Sequence, residues 1–81
     1  MSKKLKYVIT DDGFPILFGE YQSHTEFKHF NPMSAGFCHI SDGEIGEPVL
    51  KVHCFGESIG LNLKANPEKD EKKIHTMLNY Y

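Results

Sequence analysis

The sequence predicts an α+β domain: an antiparallel sheet of about five strands, with a short helix and a C-terminal helix packed on one face. Three observations predict it. Gly36-Phe37-Cys38-His39-Ile40 reads forward as G-F-C-H-I, and Gly56-Phe55-Cys54-His53-Val52 reads backward as G-F-C-H-V, with turn formers between them. Three further stretches, 5–10, 14–18 and 59–64, are short and rich in β-branched, aromatic or alternating apolar residues. The last fifteen residues carry Ile74, Met77, Leu78 and Tyr81, a single apolar stripe at helical spacing.

In chain order, residues 5–10 alternate and read as a strand, and Asp11-Asp12-Gly13 reads as a tight turn, because Asp and Gly tolerate the backbone that hairpin turns need. Residues 14–18 return as a strand. Pro15 cannot donate to a ladder, so this strand belongs at an edge or begins at the proline. Ser23 or Thr25 caps a short helix over residues 24–30, with Phe27 and Phe30 on one side of it, and Asn31-Pro32 ends it. Residues 33–41 and 49–55 are the mirrored strands, paired so that 38 meets 54 and 39 meets 53, with the turn-rich connection between them. Residues 59–64 read as a further strand and as a second sheet edge. Asn66 caps the final helix, Pro67 opens it, and Glu68 and Asp70 stand near its positive end.

The chain has 81 residues, 40% hydrophobic and 25% charged, which is the composition of one small globular domain spanning 1–81. A net charge of −2 argues against a nucleic-acid partner. No apolar run is long enough to span a membrane. Two cysteines without a secretory leader point to a reducing, cytoplasmic setting. Six Phe and four Tyr exceed what one helix on one sheet requires.

The mirrored register limits the chemistry. Directly opposed residues share a face and neighbours along a strand do not. Cys38 and Cys54 therefore lie on one face with Ile40 and Val52, and His39 and His53 lie on the other with Phe37 and Phe55. A Cys2His2 zinc site needs all four ligands on one ion, which this ladder does not allow. The cysteines read as small core residues. Sequence neighbours such as Cys38 and His39 point apart, so no thiolate–imidazole pair follows from them. No catalytic motif and no cofactor are expected. The expected function is a small non-catalytic protein-binding module, with Phe37, His39, His53 and Phe55 as its binding patch. The alternative is a metal- or small-ligand-binding domain using His39 and His53 with a third ligand such as His24 or His29. A homodimer formed through a free strand edge is also expected.

Asp12-Gly13-Phe14-Pro15-Ile16-Leu17-Phe18, Ser34-Ala35-Gly36-Phe37, and residues 56–64 followed by Pro67-Glu68-Lys69-Asp70 together resemble short proteins encoded in bacterial and phage genomes. The resemblance covers most of the chain and its motifs carry no catalytic residue. It implies a bacterial or phage context and an accessory protein that binds or inhibits a host protein.

Overall fold

A computed structural model describes residues 2–42 and 50–80. The chain runs β1 (Ser2–Ile9), β2 (Pro15–Phe18), a 3-10 helix (His24–Phe30), β3 (Ser34–Asp42), β4 (Leu50–Phe55), β5 (Glu57–Ser58), β6 (Leu63–Lys64) and α1 (Pro67–Tyr80). The fold is α+β, with a four-stranded antiparallel sheet in the order β2-β1-β3-β4 and a separate two-stranded sheet of β5 and β6. Most of the connection between the mirrored strands, and Tyr81 at the end of the apolar stripe, lie outside the described residues.

Local chemistry explains most of the boundaries. Gly13 takes φ 82 and its N–H donates to Thr10 C=O at 2.8 Å, while Thr10 N–H donates to Phe14 C=O at 2.9 Å, closing the first hairpin. Ser23 caps the 3-10 helix, accepting from Thr25 N–H, and the Glu26 carboxylate accepts the Ser23 N–H in return, a capping box. Asn31 ends that helix in the left-handed region. The strand expected over 59–64 survives only as Leu63–Lys64. Residues 59–62 form a turn, closed by Asn62 N–H to Ile59 C=O at 3.1 Å with Asn62 at φ 56. A turn residue at positive φ there overrides the apolar alternation.

The two faces of the main sheet are covered differently. Tyr7, Ile9, Cys38 and Cys54 share one face, and Ile74 of α1 is fully buried against them, with Leu78 packed at the margin. Lys69, Lys72 and Lys73 of α1 stay exposed. The opposite face buries Val8, Phe18 and Ala35 under Phe27 of the 3-10 helix and under Leu61 and Leu63.

One charged residue lies on the apolar side of α1. Asp70 is 2% exposed. Its carboxylate accepts from Tyr7 Oη–H at 2.5 Å, Ser34 Oγ–H at 2.9 Å and Asn66 N–H at 2.8 Å. Three donors and the positive end of the helix compensate the burial of a carboxylate.

Both edges of the main sheet are blunted. At β2, the bonded pair Thr10–Phe14 sets the alternation, so Pro15 and Leu17 turn their backbone outward, and Pro15 has no N–H to offer. At β4, Asn79 accepts the Leu50 N–H at 2.7 Å and donates to Leu50 C=O at 3.2 Å, and Glu71 accepts the Cys54 N–H at 2.8 Å. The second edge is therefore β4, not residues 59–64, and α1 side chains occupy it.

Packing of α1 on the sheet has a measurable consequence. Ile74→Ala should cost about 2–5 kcal/mol in urea unfolding, because the site is fully buried. Leu78→Ala at the half-buried margin should cost clearly less. Equal losses at the two positions would place the helix differently.

Candidate functional site

The register lines up the site in two rows across β1, β3 and β4. Lys6, Phe37 and Phe55 form one row, and Lys4, His39 and His53 form the next. All six side chains point to the face opposite α1; the row of Lys6, Phe37 and Phe55 borders the part covered by the 3-10 helix, where Phe37 meets His24, and the row of Lys4, His39 and His53 lies one step further out. The four residues expected from the sequence are thus brought together, and the structure adds the two lysines. β1 is not adjacent to β3 in sequence, so sequence alone gave no reason to place them there.

The rings are ordered. Phe37 and Phe55 stack with centroids 5.8 Å apart and planes 20° apart, and His53 stacks on Phe55 at 5.7 Å and 21°. Lys4 Nζ lies 4.8 Å above the Phe37 ring, a cation–π contact. His39 is exposed, and the His53 side chain is 72% exposed. His53 Nδ1 lies 3.5 Å from Glu71 Oε2, the same oxygen that accepts the Cys54 N–H.

His24 forms the wall between the covered and open parts of this face. It is buried, Nε2–H donates to Gly36 C=O at 2.8 Å, and its ring meets Phe18 and Phe37 edge-on. That bond spends His24 on packing. His29 stacks on Phe30 at the end of the 3-10 helix. Among the described residues, no three His, Cys, Asp or Glu side chains gather where they could hold a metal ion.

Residues quoted above for the resemblance have structural duties. A Cβ at Gly36 would lie 2.6 Å from the Phe55 carbonyl oxygen and 3.0 Å from Ala65 Cβ, so only glycine fits. Gly56 takes φ 77, and its carbonyl accepts the Ala65 N–H at 3.0 Å. Ser34 binds Asp70, and the buried Ser58 accepts the Leu61 N–H at 3.3 Å.

Cys38 and Cys54 face each other across the ladder as free, buried thiols. Burial pushes Cys38 up to about 11. Burial, and then the neighbouring Cys38, pushes Cys54 up to about 12. Burial, reinforced by the hydrogen bond to Asp70, also holds the Tyr7 phenol well above its ordinary value. These groups are chemically quiet at neutral pH.

The Tyr7–Ser34–Asp70 cluster was not anticipated. Its signal was present: Asp70 lies four residues before Ile74, on the same side of α1, where a solvated carboxylate does not belong. The open cleft beside it carries Lys64, Lys69, Lys73 and Asp11 on its walls. Among the described residues, no buried side-chain polar atom lacks a partner.

Comparison with protein-family models, with curated proteins and with solved structures finds no match. Among the described residues, no helix is long and apolar enough to cross a membrane.

Two outcomes test this geometry. Gly36→Ala should destabilise the fold by about 1–3 kcal/mol, since the new methyl group meets backbone carbonyl on one side and Ala65 on the other. A neutral effect in thermal melts would show that β4 can retreat. The second outcome is alkaline. Raised folded-state values favour the neutral thiols and phenol, so their contribution is complete below the ordinary thiol value of 9.0 and is lost as pH rises through about 11 and 12. Cys38→Ala with Cys54→Ala should flatten stability against pH above 9 relative to the parent. An unchanged alkaline slope, or rapid labelling of both thiols in the native protein, would contradict their burial.

Proposed function

We propose that the chain is a small, non-catalytic protein-binding module whose contact surface is the sheet face carrying Phe37, His39, His53 and Phe55. One observation carries the reading: the β3–β4 register sets two half-buried rings and two exposed imidazoles side by side on one face of the sheet. Aromatic and imidazole side chains supply much contact area for little lost rotamer freedom. Several other reactive groups are already engaged: the thiols and the Tyr7 phenol are buried, His24 is bonded to a carbonyl, and Asp70 is satisfied. With α1 side chains on one sheet edge and a proline on the other, side chains rather than strand addition are the route to a partner. The resemblance to bacterial and phage-encoded proteins extends the proposal to an accessory protein that binds or inhibits a host protein.

The experiment is affinity capture from bacterial lysate on immobilised protein, comparing three baits of equal thermal stability. The parent and a control altered on α1, Lys69→Ala with Lys72→Ala, should retain the same partner. A bait carrying His53→Ala with Phe55→Ala should lose it. Retention by all three baits, or by none, would refute this contact surface.

A further inference from the structure

We propose that this face binds an acidic segment of its protein partner, in which Asp or Glu side chains are interspersed with apolar ones. The inference rests on the face being the contact surface, and it adds the chemistry of what is bound.

Charge segregation carries it. Strand parity places Lys4 and Lys6 of β1, His39 of β3 and His53 of β4 on this side of the sheet. The described residues of the four strands contribute no carboxylate to it, because Asp42, opposite Leu50, has the other parity. The whole chain carries −2, whereas the described strand residues on this side supply lysines and no carboxylate. Two carboxylates stand at its borders. Glu71 comes around the β4 edge and is bonded to the Cys54 N–H beside His53. Glu20 shares a cleft with Lys3 and Lys4.

The cations are held in place. Lys6 Nζ–H donates to Gln22 C=O at 2.8 Å, and Lys4 Nζ sits over Phe37. Two positions apart on β1, they stand about 7 Å from one another along the strand, the spacing of alternate side chains in any extended chain. A partner segment with carboxylates at alternate positions meets both, and its apolar side chains meet the Phe37–Phe55 row.

Two other occupants fit less well. A base needs an open ring face to stack on. Here Phe55 is flanked by Phe37 and His53, and Lys4 covers Phe37. A second copy meeting this face about a two-fold axis would set its lysines against lysines.

The test is fluorescence anisotropy with three labelled probes: a 12-residue peptide alternating Glu with Leu and Phe, the same peptide with Gln for Glu, and a 12-nucleotide oligothymidylate. The Glu peptide should bind. Its affinity should fall about tenfold between 50 and 300 mM NaCl, as expected when charge complementarity drives association. Lys4→Gln with Lys6→Gln, shown folded by circular dichroism, should weaken it about tenfold, and Lys69→Gln with Lys72→Gln should not. Equal binding of the Gln peptide, still lost in Phe55→Ala, would overturn the acidic partner and leave the contact surface standing. Tighter binding of the oligonucleotide would overturn it in favour of a phosphate ligand. An unchanged affinity in the Lys4/Lys6 variant would place the peptide elsewhere and overturn it too. If neither peptide binds, the acidic segment is overturned, and the capture comparison above still decides the contact surface.

Discussion

The Asp70 carboxylate is the constraint on which the rest of the structure depends. Its three hydrogen bonds tie the middle of β1, the start of β3 and the first turn of α1 to one point. That point anchors the N-terminal end of α1 against the sheet. Ile74, one turn further on, lands on the opposed thiols. Glu71 and Asn79 then reach the β4 edge at Cys54 and Leu50. The lengths agree: eight helical residues rise about 12 Å and four strand residues span about 13 Å, so the two side chains meet edge groups spaced to match. A buried carboxylate tolerates little rearrangement, because a misplaced helix leaves it unpaired in an apolar setting.

How much of this was legible in the sequence depends on how local each cause is. The pairing of Cys38 with Cys54 and His39 with His53 could be read directly, since like residues opposite like define a register and the register defines the faces. The capped 3-10 helix, the Asp-Asp-Gly turn and the stripe through Ile74 were also readable, each resting on a few adjacent residues. The turn at 59–62 was not, because Asn62 sits within an apolar alternation that a strand would share. Asp70 was read as a charge complementing a helix end, when its position on the apolar side of α1 meant burial. The lysine rows escaped for a different reason: β1 joins the β3–β4 hairpin as its third strand across a long sequence separation, so which side chains share the outer rows depends on strand order.

The same separation of causes divides the two faces. Under α1, side chains are chosen by volume and by the need to satisfy one carboxylate. At Gly36 the choice is set by how closely the Phe55 carbonyl passes, and at Gly56 by a positive φ and the Phe37 ring beside it. The rows Lys6–Phe37–Phe55 and Lys4–His39–His53 answer mainly to neither demand: His39 and His53 are exposed, Phe37 and Phe55 half-buried, and their backbones are held by the ladder. Function is therefore best sought where packing asks least of the sequence.

The blunted edges of the sheet have an evolutionary consequence. Where a protein meets its partner by adding a strand, much of the affinity comes from main-chain hydrogen bonds common to every sequence, and selectivity is hard to shift. Here Pro15, Asn79 and Glu71 discourage that mode, so any preference must be written in side chains. Exposed ladder positions such as 39 and 53 can be exchanged one at a time while Asp70, Ile74 and Gly36 keep the scaffold unchanged. Substitution on that surface therefore leaves the scaffold's stability largely untouched, so the side chains there can change without passing through an unstable intermediate.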